Sequence, residues 1–356
     1  VCVRCLAPTW PQIKDYETKE FTVRSNLRWL RLSANPWVFI SGGILFIWIC
    51  IAQVCAAQTF PNQPVRLVVP YPPGGTTDIV ARQYAEYLTN VFRQTVVVEN
   101  RPGGTTNIAA EAVVKSQPDG LTWLFSGVNQ TINPAMGPVP SFDLLKVLAP
   151  VTLVARVPYV VAANSNAPFN RLDQLLSMAK SSPGKFTISS AQLDVYVELL
   201  KQRSGIDLLH IPYKGGAPAT TDAISGQVNM VFALVPVLLP HIESGRLKAI
   251  AVTSTKRLPM LPNTSTLVEA GIDYDLSSWY GVLVPKATSA AIVERISQVT
   301  QNIAAMPSFV EKLRARGAVA EASSPSEFHK QIESELKFWV QIAQQMPKLV
   351  EERKAN

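Results

Sequence analysis

The sequence predicts an α/β protein of two lobes, each a mainly parallel sheet flanked by helices, with a hinge that the chain crosses twice. Three observations predict it. Short β-branched runs alternate with glycine turns and with segments whose apolar residues recur every three or four positions. A proline-glycine-glycine turn occurs twice, 29 residues apart, about the length of one strand-plus-helix unit. An apolar extended run at 149–161 and a strand-like run at 279–284 bracket the middle of the chain, as outward and return crossings would.

The chain has 356 residues, which favours two domains over one. Hydrophobic residues make up 47% and charged residues 17%, enough apolar material for a core and too little charge for wholesale disorder. The formal charge is +7, but six basic and three acidic residues precede Gln58, so the body carries only +4. That charge is scattered, and no basic run is interleaved with aromatics. Nucleic acid is therefore not an expected partner.

Arg24, Arg28 and Arg31 precede an apolar stretch from Trp37 to Val54, interrupted at Ser41, Gly42, Gly43 and Gln53 and followed by Ala56 and Ala57. This order reads as a cleaved secretory signal. A retained membrane anchor is the alternative, because the stretch of about 18 residues reaches the lower limit for a span. Either places Gln58 onward outside the cytoplasm, in the periplasm. Cys2, Cys5, Cys50 and Cys55 are the four cysteines, so the body is cysteine-free, as suits an oxidising compartment. Cys2 and Cys5 form half of a zinc site without its other half, and are read as incidental. The expected organisation is 1–57 as extension with signal or anchor, 58–157 as the first part of lobe 1, 158–276 as lobe 2, and 277–356 as the completion of lobe 1 with the C-terminal helices.

Val65 to Val69 is a β-branched run of the kind buried in a parallel sheet. Pro72, Pro73, Gly74 and Gly75 stop it, and Thr76 or Thr77 can cap a helix through Ile79, Val80, Tyr84 and Leu88. A second strand at 95–98 leads to Arg101-Pro102-Gly103-Gly104 and another helix. A third at 121–126 ends in a polar loop holding Gly127, Asn129 and Gln130. Lobe 2 is expected to hold helices at 172–180, 193–203 and 217–225 and strands at 185–189, 207–211, 228–232 and 247–252. Trp279 to Val284 returns to lobe 1, and helices follow at 290–304 and 326–345, with Ser326 as a candidate cap.

In open α/β sheets the C-terminal strand edge is where ligands bind. The turn Pro73 to Asp78 would lie there, with two glycines allowing close backbone approach and a helix start aiming free N–H groups at the same spot. Such a site favours an anion; a tight turn with no ligand is the alternative. No P-loop and no G-x-G-x-x-G follows a strand, so a nucleotide is not expected, and no cofactor or metal is. No G-x-S-x-G elbow is present, and His210, His241 and His329 are not spaced for a metal, so the chain does not read as an enzyme. His210 reads as a structural hydrogen-bonding group near the cleft, and His241 and His329 as surface residues. Asp78 reads as a turn cap rather than a general base. Tyr71 and Tyr213 flank glycine turns and are candidates for ligand contact or core.

These residues resemble the substrate-binding receptors of tripartite tricarboxylate transporters, the Bug receptors, over nearly all of 60–345. The resemblance is carried by Pro70-Tyr71-Pro72-Pro73-Gly74-Gly75-Thr76-Thr77-Asp78, by Glu99-Asn100-Arg101-Pro102-Gly103-Gly104, by Gln117-Pro118-Asp119-Gly120 and by Asn133-Pro134. Further along it is carried by His210-Ile211-Pro212-Tyr213-Lys214-Gly215-Gly216, by Gly245-Arg246-Leu247-Lys248-Ala249-Ile250 and by Ser278-Trp279-Tyr280-Gly281. The resemblance implies a two-lobed periplasmic receptor, of the type II binding-protein fold, and the chain is expected to be a monomer. It implies closure on a small carboxylate and delivery to the membrane permease subunits of a tripartite tricarboxylate transporter. It implies a carboxylate held by N–H groups, hydroxyls and waters from two loops, here Pro73 to Asp78 and the loop after Ser189-Ser190. The expected ligand-binding residues are Tyr71, Pro73, Gly74, Gly75, Thr76, Thr77, Asp78, Ser126, Asn129, Ser189, Ser190, Tyr213, Lys214, Gly215 and Trp279.

Two departures stand out. Where the family usually has a glycine- and asparagine-rich second loop and a histidine, this chain reads Ala191-Gln192-Leu193-Asp194-Val195. Where the family often has Asp or Asn, it reads Phe232-Ala233-Leu234. A membrane-anchored or ligand-divergent module used in sensing, or one that has lost binding, is the alternative reading.

Overall fold

The computed structural model describes residues 60–137, 142–191, 193–213 and 215–355. The expected signal or anchor and all four cysteines lie outside the described residues. The segment from Gln58 onward is one compact unit, and among its described residues no helix is long and apolar enough to cross a membrane.

The first lobe is built on β1 (Val65–Val69), β2 (Val96–Asn100) and β3 (Thr122–Gly127), with β1 parallel to both others. Period-two alternation sorts β1: Val65, Leu67 and Val69 face one core cluster and Val68 the other, while Arg66 is exposed. Helix α1 (Thr76–Phe92) follows β1, and α2 (Asn107–Val114) follows β2 by way of a 3-10 turn at Gly104–Thr106. The face beneath α1 buries Val80, Tyr84 and Leu88 against Trp123 and Phe125. Each such side chain contributes about 1.5–3 kcal/mol over exposure.

After α3 (Asn129–Met136) and the short α4 (Leu144–Val147), strand β4 (Leu148–Asn164) runs the length of both lobes. Leu148 to Pro158 pair antiparallel with β9 (Ser277–Pro285), whereas Tyr159 to Asn164 pair antiparallel with β7 (Met230–Leu234) and β8 (Leu247–Val252). The partner exchange falls between Pro158 and Tyr159. The second lobe adds β5 (Thr187–Ala191), parallel to β7 and to β6 (Leu209–Tyr213). Its helices are α5 (Leu172–Ser181), α6 (Asp194–Ser204), α7 (Gly216–Ser225) and α8 (Val235–Glu243). Strand β9 then inserts antiparallel between β3 and β4, all nine of its residues buried. Each lobe is thus a parallel trio extended by antiparallel strands, because the chain crosses back through the middle of the sheet rather than along its edge. Helices α9 (Ala290–Ala304), α10 (Pro307–Arg314), α11 (Pro325–Gln345) and α12 (Pro347–Ala355) finish the chain, with β10 (Val319–Ala320) on β4.

Several local expectations are corrected. The polar stretch at 127–130 is not a loop but leads into α3, where Gln130, Thr131, Ile132 and Asn133 are buried and Pro134 lies within the helix. Their polarity is absorbed by partners far away in sequence. The strand expected at 228–232 is shifted to Met230–Leu234 and runs directly into α8, whose Pro236 sits in the first turn, where its missing N–H costs nothing. His241 and His329 are half-buried rather than surface groups. The cap of α11 is Ser324, not Ser326. Its hydroxyl accepts from Glu327 N–H, the Glu327 carboxylate accepts from Ser324 N–H, and Pro325 opens the helix. Ser324→Ala is expected to lower stability by about 1 kcal/mol, read as a shift in the urea midpoint with an unchanged slope.

Candidate functional site

The parallel strands of each lobe end on a common edge, and the residues following them form the site. After β1 the backbone turns at Gly74, whose φ of 86° lies in the left-handed region, while an added Cβ would meet nothing within 4 Å. Glycine is required there by conformation, not by space. Neither Thr76 nor Thr77 caps α1; Gly75 does, in extended conformation and without a side-chain hydrogen bond. The Asp78 carboxylate folds back instead. It accepts from Gly74 N–H at 2.9 Å, from Arg82 Nε at 2.9 Å and from Asn100 Nδ2 at 2.9 Å. Asn100 Nδ2 also reaches Tyr71 O at 3.0 Å, tying the end of β2 to the first turn. Burial alone would raise the Asp78 pKa, but the bonds from Arg82, Gly74 and Asn100 outweigh it and hold the carboxyl below its usual value. Asp78 is an ionised tie, as its capping role requires.

The second turn echoes the first in sequence but not in shape. Thr105 and Thr106 both take left-handed φ, 50° and 80°, which costs a β-branched residue about 1–3 kcal/mol. The strain persists because both are tethered. Thr106 Oγ1 accepts from Gln130 Nε2 at 3.0 Å, and Thr105 O accepts from Asn133 Nδ2 at 2.6 Å. At the end of β3, Ser126 is buried and bonded to Gln130 Nε2 at 3.3 Å. The Tyr71 phenol is pushed well above its normal range by burial and by neighbouring Tyr280 and Tyr159, with hydrogen bonding to Asn129 opposing.

On the second lobe, the Ser189 hydroxyl is committed to Ala219 O at 3.1 Å and Met230 O at 3.2 Å. Ser190 Oγ lies 2.8 Å from His210 Nε2 across β5 and β6. Tyr213 donates to Asp222, and Gly215 caps α7. Lys214 lies outside the described residues.

A gap of ≈ 1870 Å³ opens along β6, reaching from the C-terminal strand edges past the loop at 205–208, and residues 345–349 at the junction of α11 and α12 also border it. Thr105, Asn129 and Asn133 line it from the first lobe, and Ser190, Asp194, His210 and Tyr213 from the second. Of the residues expected at a ligand, the structure brings Asn129, Ser190 and Tyr213 together there. Tyr71, Pro73, Gly74, Gly75, Thr76, Thr77 and Asp78 form the adjoining turn, with Gly74 and Gly75 exposed, but they do not line this gap. Ser126 and Ser189 are sealed by their own partners. Trp279 is wholly buried, packed edge-on to Phe328 at 5.2 Å and donating to Glu335 Oε2 at 2.8 Å, so it belongs to the core. Thr105, Asn133, Asp194 and His210 line the gap without having been singled out as contacts. The repeated turn could have flagged Thr105, and the position of His210 at the start of its motif could have flagged the histidine. Nothing local marked Asn133.

A family profile described as a tripartite tricarboxylate transporter family receptor matches residues 80–347. Protein BugT of Bordetella pertussis is 32% identical over 310 residues, covering 85% of this chain and 95% of that protein. The structure of R. palustris Rpa4515 with adipate matches with a TM-score of 0.71 at 31% identity, covering 82% of this chain and 98% of that one. Periplasmic binding protein BugD matches with a TM-score of 0.66 at 31% identity, covering 80% and 98%.

Proposed function

Because the chain belongs to the tripartite tricarboxylate transporter receptor family, whose members are solute-binding receptors and not enzymes, we propose that it captures a small dicarboxylate outside the cytoplasm and hands it to the permease subunits of such a transporter. The observation that carries this reading is the meeting of polar groups from two sheet edges on one gap, with Asn129 on one side and Ser190 and Tyr213 on the other. The start of α1, beside the gap without lining it, carries N–H groups at Thr76, Thr77 and Asp78 that no side chain caps. A hydrogen bond to a carboxylate contributes about 1.5–3 kcal/mol. Three or four of them sum to about 5–12 kcal/mol, the size of the roughly 8 kcal/mol of micromolar binding, so burial of the ligand's carbon chain must offset the association costs. The adipate bound to Rpa4515, a relative at 31% identity, supports a dicarboxylate. Residues 58–157 with 277–356 would form one jaw and 158–276 the other, a division supported by the partner exchange within β4. The periplasm is the proposed location, as for relatives named periplasmic binding proteins.

The Gln58–Asn356 unit, titrated with adipate and shorter dicarboxylates, is expected to gain about 2.7 kcal/mol when ligand exceeds its Kd a hundredfold. For a unit of this size that corresponds to a melting shift of roughly 4 °C. No shift with any member would sink the reading. It would favour a receptor-derived module that no longer binds, an alternative supported by the internal occupation of the Gly74 N–H and the Ser189 hydroxyl.

A further inference from the structure

The hydroxyl at the end of β5 does not stand alone. Ser190 is buried, lines the gap, and has the half-buried His210 ring as its one hydrogen-bonding partner among the described residues, at 2.8 Å. We propose that His210 is the positioning residue of a carboxylate subsite at Ser190, setting which way the serine proton points and how strongly that side of the gap attracts an anion. This rests on the receptor reading above and assigns the contact on the second lobe.

The chemistry follows from one proton. In the neutral tautomer with the proton on Nδ1, Nε2 accepts the Ser190 O–H, and the serine presents only lone pairs to the gap, which repel a carboxylate; the other neutral tautomer turns the serine proton outward but adds no charge. When the ring takes a second proton from solvent, Nε2–H donates to Ser190 Oγ. The serine proton is then free to donate into the gap, and a positive charge lies behind it. A bound carboxylate favours this protonated form, so binding and proton uptake are linked.

Burial holds the free His210 pKa below its usual value, although Glu198 and Asp194 pull it upward; Lys201 pushes it down. Among the described residues these three groups on α6 act on the ring, and Asp207 and Lys348 line the same gap. Lys201 is paired with Glu198 at 3.0 Å, and α7 presents Asp222 to Tyr213 rather than to the histidine. At neutral pH the free ring is therefore largely uncharged, and a carboxylate beside Ser190 raises its pKa. Affinity should strengthen as pH falls toward the free-state pKa, by up to about tenfold for each unit the ligand adds.

The test is titration calorimetry of adipate against the full chain at about pH 6 and about pH 8, repeated in two buffers of different ionisation enthalpy. Wild type is expected to bind about fivefold to tenfold tighter at the lower pH, with net proton uptake. His210→Gln should bind with the same affinity at both values and without buffer dependence, and Ser190→Ala should weaken binding at both and lose the pH response. Equal wild-type affinity at both values, or an undiminished pH response in His210→Gln, overturns the proposal while leaving the receptor reading intact. Failure of adipate and shorter dicarboxylates to bind at any pH overturns both. The buffer dependence of wild type needs no variant, so a His210→Gln chain that failed to fold would not protect the idea.

Discussion

Asp78→Ala is expected to cost about 2–4 kcal/mol of stability and to weaken dicarboxylate binding at least tenfold. The side chain is 4% exposed and accepts three hydrogen bonds. Removing it takes three hydrogen bonds to a charged acceptor from Gly74, Arg82 and Asn100, leaving Asn100 Nδ2 only Tyr71 O, and a hydrogen bond to a charged group contributes about 1.5–3 kcal/mol. It also releases the first turn of α1 from the end of β2, loosening the N–H groups proposed to meet the ligand. Asp78→Asn should fall between the two, keeping an acceptor for Gly74 while losing the charge opposite Arg82. The pH dependence has a definite sign. Because the folded carboxyl titrates below the ordinary aspartate value, its contribution is complete above that ordinary value and is lost as pH falls through the lower, folded value. The stability difference between wild type and Asp78→Asn, followed by urea unfolding, should therefore be full at neutral pH and shrink in that acid window. A difference that persisted unchanged in acid would mean that the carboxylate charge contributes nothing.

The second large effect lies in the crossing strand. Gly281→Ala is expected to destabilise by about 3 kcal/mol or more, lowering the melting temperature by roughly 5 °C or more. An added Cβ would lie 2.5 Å from the Phe328 ring and 2.9 Å from Thr152 O on the paired strand β4. The ring is held against Trp279, itself bonded to Glu335, and the carbonyl belongs to the strand shared by both lobes. Neither can retreat without disturbing the crossing. Gly216→Ala is the control: nothing lies within 4 Å of its Cβ position and it opens a helix, so its effect should stay within about half a kcal/mol of zero or stabilise slightly. Comparable losses in both variants would show that the close contact at Gly281 is not what limits stability.

Local order was legible in the amino-acid sequence. Leu247 to Val252 and Ala290 to Ala304 occupy the ranges that their periodicity predicted, since strand and helix periods depend on neighbours a few residues apart. The βα alternation and the resemblance to a receptor family were also written in contiguous motifs. Which polar groups remain available at the site was not. Ser189 and Ser190 are adjacent and alike, yet one is bound to Ala219 and Met230 and the other meets His210 in the gap. Trp279, expected at the ligand, is turned inward by Glu335, which Thr131 on α3 also reaches. Those partners are separated by tens to hundreds of residues, and burial satisfies each donor with whatever acceptor the packed sheets bring near. The sequence by itself therefore determined the lobes' building blocks and the glycine turns, whereas tertiary packing decided which of their hydroxyls, amides and carboxylates are spent on the fold and which face the gap.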